Sequence, residues 1–102
     1  MTMHRNRKLL DLAHDAPCMF QVPGVCADGV NPCVPCHSNH QRHGRGFSFK
    51  SHDCYAPAGC VKCHAWYDTG PAPRERKDEV FRAALDRWVL WLWINRKVKV
   101  AA

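Results

Sequence analysis

The sequence predicts a single small α+β domain, stapled by a structural metal, with a short N-terminal helix and a long C-terminal one. Three observations lead there. The chain has 102 residues, a length at which one core forms but buries a smaller share of surface than in larger domains. It carries seven cysteines, and small domains use metals or disulfides as staples. Helical periodicity is confined to the two ends and a short stretch after Cys60, whereas residues 27–59 show little of it.

Taken in order, RNRKLLDLAH (5–14) reads as a short helix whose apolar residues are Leu9, Leu10 and Leu12. Ala16-Pro17 ends it, since the residue before proline leaves the helical region. CMFQVPGVC follows, a Pro-Gly turn with a cysteine at each end, the form of a zinc knuckle. ADGVNPC is turn-rich, and HSNHQRHGRGFSFKSHDC is polar, basic and glycine-containing. We expect irregular loop there, with one or two short strands, and a loop this long in a small domain points to function.

After Cys60 the stretch VKCHAWYD is helical for about two turns before Thr-Gly-Pro-Ala-Pro breaks it. A long helix is predicted from Arg74 to about Lys97, with Phe81, Leu85, Trp88 and Leu92 on one face. Acidic Glu75, Asp78 and Glu79 open it and Arg96 and Lys97 close it, as the helix dipole favours. Leu90, Trp93 and Ile94 fall off that face. They imply extra burial at the helix end, either in a homodimer or under the N-terminal helix. The apolar run WVLWLWI is far short of the ~20 residues that span a membrane.

The cysteines require a choice of chemistry. The segment MTMHRNRKLLDLAHDAP is basic and lacks the apolar run of an export signal. An odd cysteine count also suits a disulfide framework poorly. The expectation is a cytoplasmic protein with reduced thiols and a bound zinc ion. The same argument speaks against c-type haem, although CVPCH and CVKCH both have its attachment spacing. By spacing alone, Cys33/Cys36 pairs with Cys60/Cys63 as two C-x2-C halves of one zinc site. The competing set joins the Cys18/Cys26 turn to Cys60/Cys63. Cys54 has no partner by spacing and reads as a buried or idle thiol.

Fifteen Lys and Arg against nine Asp and Glu give a formal charge of +6, which suits a nucleic-acid partner. Four histidines lie between residues 37 and 52, beside Arg42, Arg45 and Lys50. That combination is either a phosphate-facing surface containing a titratable base or a solvated loop. His64 and Asp68 stand at i, i+4 on the helix after Cys60, so imidazole and carboxylate share one face. Such a pair can ligate a divalent cation or simply form a helix-surface hydrogen bond.

PCMFQVPGVC, then VPCHSNH, then HDCYAPAGCVKCHAWYD resemble the YbcO-like prophage nuclease family of the HNH, or His-Me finger, endonuclease superfamily. The resemblance spans roughly residues 7–69, and the motif core is 16–69. It rests on the cysteine-flanked Val-Pro-Gly turn, the Val-x-x-His box, an Asp seven residues before a cysteine, and C-x-x-C-H-x-x-x-D. It implies a ββα-metal fold in which His37 is the general base, Asp53 orients it, and His64, with Asp68 as second ligand, holds a catalytic divalent metal such as Mg2+. It also implies that Cys18, Cys26, Cys60 and Cys63 bind the structural zinc. Cys36 stands where many HNH sites carry a further metal ligand, and Asp53 stands where many carry Asn.

The implied activity is metal-dependent hydrolysis of DNA by a phage or prophage endonuclease in the bacterial cytoplasm. Arg42, Arg45 and Lys50 would hold the phosphate backbone. Two other classes are a non-catalytic zinc-stabilised DNA-binding module and a redox or metal-carrier protein using the surplus thiols.

Overall fold

A computed structural model describes residues 3–27, 32–46 and 49–101. The turn-rich ADGVNP stretch falls mostly on residues 28–31, outside the described residues. Helix α1 (Arg7–Asp11) begins where the Asn6 side chain accepts the Leu9 N–H at 3.0 Å, satisfying a donor the helix itself leaves open. A 3-10 turn over Leu12–Asp15 prolongs it, and Ala16 ends it in an extended conformation, as its position before Pro17 favours. Leu9 and Leu12 pack on the core from one side.

The sheet is minimal. Strand β1 (Val34–Pro35) pairs antiparallel with β2 (Ala58–Gly59), Val34 opposite Gly59 and Pro35 opposite Ala58. Flanking backbone bonds lengthen this ladder. Cys36 N–H donates to Pro57 O at 2.9 Å, Ser38 N–H to Tyr55 O at 3.0 Å, and Met19 N–H to Ala58 O at 2.9 Å. Gly59 is required at the crossing, because a Cβ there would sit 2.8 Å from Cys36 Sγ and 3.0 Å from the Phe20 ring. Alternation along the extended chain turns Cys36 and Ser38 inward, where both are fully buried, and His37 to the other face.

Helix α2 (Val61–Thr69) follows β2 directly and stops at extended Gly70, before Pro71. Cys63 and Tyr67 form its buried side. Helix α3 (Arg74–Ile94) packs Val80, Phe81, Ala84, Trp88 and Leu92 inward, with Leu85 half-buried. Rings of Phe20, Tyr67 and Phe81 meet at centroid distances of 5.2–6.0 Å and tie the knuckle, α2 and α3 together. Arg87 adds a tether, donating to Met19 O at 2.7 Å.

Three expectations change. Helix α3 ends at Ile94 rather than near Lys97, because Arg96 adopts a left-handed φ of 56°. Its N–H donates to Trp93 O and that of Lys97 to Leu92 O, a Schellman closure built without glycine. The apolar helix end is not covered by α1: Leu90, Trp93 and Ile94 are 59%, 51% and 68% exposed. Cys54 is exposed rather than buried. Among the described residues, no helix is long and apolar enough to cross a membrane.

Candidate functional site

The thiol cluster is built from three segments. The Val-Pro-Gly turn, with Gly24 at φ 75° and Cys26 N–H donating to Val22 O at 2.9 Å, brings Cys26 back toward Cys18. Cys60 is the N-cap of α2, and Cys63 lies in its first turn. The sulfurs of Cys18, Cys26, Cys60 and Cys63 all lie within 4.8 Å of one another. A tetrahedral zinc site with bonds of about 2.3 Å has edges of about 3.8 Å, so a small contraction makes the four thiolates a closed structural site.

Backbone N–H groups already point at these sulfurs. Cys60 Sγ accepts from Ala27 and from Cys63 at 3.4 Å each, and Cys18 Sγ accepts from Cys60 at 3.2 Å. Burial opposes ionisation of Cys60, but those donors outweigh it and draw its pKa down to about 7. Burial instead pushes the Cys63 thiol up. One thiolate in the cluster thus forms readily, and a cation would be needed to ionise its neighbour as well.

The pairing expected from C-x2-C spacing does not form. Cys33 and Cys36 are buried in the core and stand outside the cluster. Cys36 donates to Val34 O at 3.4 Å, and burial, with the negative charge of Asp68 adding to it, holds the thiol protonated. What keeps Cys36 out of the cluster is its position, its sulfur lying against Gly59 and Val34 O rather than beside the other four.

On the other side of the sheet, His37 emerges two residues after β1. Its Nε2 lies 2.9 Å from Asp53 Oδ1. Asp53 is 3% exposed and sits in a 3-10 turn over Asp53–Tyr55. Its Oδ2 accepts the Asn6 N–H at 2.7 Å, and Arg5 Nη1 approaches Oδ1 at 3.4 Å. Burial raises the Asp53 pKa, but the bonds from His37 and Asn6 and the Arg5 charge win, and the carboxyl ends below its ordinary value. Asp53 is therefore an anion, which can only accept, so the hydrogen bond between them needs the proton on His37 Nε2. In the neutral imidazole that leaves Nδ1 as the acceptor nitrogen.

Helix α2 presents His64 and Asp68 on one face, Nε2 to Oδ2 at 3.0 Å. His37, His64 and Asp68 line one cleft of about 300 Å³ with Pro35, Asn39, Arg45 and Lys50. The expected base, the expected metal pair and two of the three expected phosphate cations thus converge. Arg42 does not join them; it lines a neighbouring hollow with His40 and Arg74.

The histidine-rich loop is less polar than its composition suggests. His43 is buried, stacks on Tyr55 at 4.1 Å and bonds Ser38 Oγ through Nδ1. Its burial, and then the nearby Arg42 charge, lower its pKa, so it is a neutral core group rather than a surface base. His40 Nε2 approaches Asp78 Oδ1 at 2.9 Å without the alignment of a hydrogen bond.

Sequence reasoning missed Arg5, Asn6 and Asn39. Arg5 also bonds Ser51 O at 2.6 Å and Lys50 O at 2.8 Å, so residues before the motif core clamp the loop that carries Asp53. The only hint in the sequence was an Arg-Asn pair ahead of a helix.

Among the described residues, fold and site define a small α+β protein with a two-stranded sheet, three α-helices and a four-cysteine cluster able to hold a structural metal such as zinc. Set against known proteins, the chain has no significant match among family models, curated proteins or solved structures.

Proposed function

We propose that this protein is a metal-dependent endonuclease of the HNH type, hydrolysing DNA phosphodiester bonds on a ββα-metal module of the YbcO-like kind. The observation that carries the reading is the convergence of His37, His64 and Asp68 with Arg45 and Lys50 in one cleft. Asp53, behind the sheet edge, supports it by fixing the His37 tautomer.

His37 Nδ1 takes a proton from water while Asp53 stabilises the imidazolium through Nε2–H. The water oxygen forms a bond to phosphorus, and the P–O bond to the leaving oxygen breaks, that oxygen taking a proton from solvent. Arg45 and Lys50 neutralise non-bridging phosphate charge. His64 and Asp68 are suited to a divalent ion: their donors are 3.0 Å apart, close to the cis edge of an octahedron with bonds of about 2.1 Å. Such an ion, when bound, supplies charge neutralisation at the phosphate. Two protein ligands are enough for an ion that keeps several waters.

The second reading is a zinc-stabilised DNA-binding module without catalysis. It is favoured by one observation: His64 and Asp68 are a pair, and the cysteine cluster is the group of three or more metal donors found among the described residues.

Supercoiled plasmid, incubated with zinc-loaded protein and Mg2+ or Mn2+, separates the two. The nuclease reading expects metal-dependent nicking that His37→Ala reduces by roughly 10²–10⁴-fold while DNA binding and zinc content persist. Binding without nicking under either ion selects the second reading. Nicking by His37→Ala at the wild-type rate sinks the assignment of the base.

A further inference from the structure

We propose that a second nucleic-acid subsite runs from the His37–His64 cleft onto the start of α3, where Arg45 and Arg74 grip the phosphodiester backbone beside the phosphate being cut. It rests on the nuclease reading for the word "cut", but the backbone-binding groove is argued from its own geometry.

Three hollows, of about 300, 430 and 530 Å³, form a chain that shares Asn39 and Arg45 throughout. The first joins the second through Asp68, and the second joins the third through Arg74 and Asp78. The result is a continuous groove of adjoining hollows centred on Asn39 and Arg45. Its walls carry Lys50, Arg45, Arg74, Lys77 and Arg42 against only Asp68 and Asp78 as acids.

Asp68 pairs with His64 at 3.0 Å, and Asp78 lies 2.9 Å from His40 Nε2, so an imidazole stands beside each carboxylate. Lys77 donates to Gly70 O at 2.7 Å, which places it without neutralising it. Arg45 and Arg74 form no ion pair among the described residues. Both are exposed.

Two unpaired guanidinium groups along a polar groove are matched to phosphate diesters, which accept their forked donors. A protein partner's carboxylates would answer the charge but not the continuity with a cleft holding an imidazole base and a His–Asp pair. The groove floor includes Tyr67, but its ring is buried against Phe20 and Phe81, so among the described lining residues no Phe, Tyr or Trp ring is offered to bases as a platform. Recognition here is therefore of backbone, independent of sequence.

The test is fluorescence anisotropy of a duplex oligonucleotide between 50 and 200 mM KCl, using Arg74→Gln, Arg45→Gln and the control Arg82→Gln. Arg82 is exposed on α3 and lines none of the three hollows. Each groove variant should bind about three- to tenfold more weakly and flatten the salt slope by about 0.9, the signature of one lost phosphate contact. The control should match wild type. Unchanged affinity and slope in Arg74→Gln, with zinc content and Tm preserved, overturns the subsite. An equal loss in Arg82→Gln overturns it too, because the effect would then be overall charge. If wild type binds but never nicks DNA while the Arg74 effect appears, the nuclease reading fails and the groove stands.

Discussion

The carboxylate at residue 53, where an amide would be nearly isosteric, has a physical reason that a single substitution can test. Two part-buried donors converge on buried Asp53, Asn6 N–H on Oδ2 at 2.7 Å and His37 Nε2 on Oδ1 at 2.9 Å. A carboxylate accepts both. An amide has one acceptor oxygen, so Asp53→Asn must turn its NH2 toward one of them. The variant loses hydrogen bonds to a charged group, worth about 1.5–3 kcal/mol each, and keeps a bond to His37 only by forcing the ring into its other tautomer. Arg5 adds little to this sum, because its side chain is 42% exposed and its charge is screened. We expect Asp53→Asn to destabilise the zinc-loaded protein by about 2–3 kcal/mol in urea unfolding at pH 7. The pH dependence has a definite sign. The folded pKa of Asp53 is depressed below its ordinary 3.8, so its contribution is present above that value and lost only as pH falls through the folded pKa. The gap between wild type and variant should therefore not shrink between pH 8 and 5.5. Ring ¹⁵N shifts supply an independent readout, with wild-type His37 protonated on Nε2 and the variant moved toward the Nδ1–H tautomer. A gap below about 0.5 kcal/mol, within the range of an ordinary surface change, or one that closes by pH 5.5, would refute the two-donor account.

Three further outcomes test other parts of the fold. Cys18→Ser should lose stoichiometric zinc by elemental analysis, whereas Cys33→Ser should retain one ion per chain; the reverse result would restore the pairing suggested by spacing. Chelating the zinc should unfold the wild type, since a structural zinc contributes on the order of 10 kcal/mol. Arg96→Gly should stabilise the protein by about 0.5–1 kcal/mol, as glycine bears the left-handed φ of 56° without a Cβ penalty. A rise in Tm of about 2–6 °C is expected by calorimetry, and a fall would show that the Arg96 side chain has a role beyond its backbone.

Local chemistry was legible in the sequence, and long-range pairing was not. The Pro-Gly turn, the short helix after Cys60 and the His64–Asp68 face all follow from spacings within one turn, and each is present. The end of α3 escaped because its left-handed residue is Arg96, where glycine would have announced it. His43 was read as loop because its neighbours are polar; the Tyr55 ring, twelve positions away, and Phe81 on α3 make it a core residue. Arg5 and Asn6 lay outside the motif, and their role depends on a loop some 47 residues downstream.

The twin boxes CVPCH and CVKCH show most sharply why spacing misled. In CVKCH the two cysteines lie on the N-cap and first turn of a helix, so both sulfurs converge and His64 leaves on a different face. In CVPCH the chain is extended and alternates. Cys36 goes inward against Gly59, and His37 goes outward to Asp53 and the cleft. A slip of one residue in the β1–β2 register would exchange them, burying the imidazole and exposing the thiol. The Pro57 and Tyr55 carbonyls that hold Cys36 and Ser38 N–H groups prevent that slip. A sheet of two-residue strands is thus sufficient, because its task is to fix one alternation, and that alternation decides which of two adjacent side chains faces the cleft.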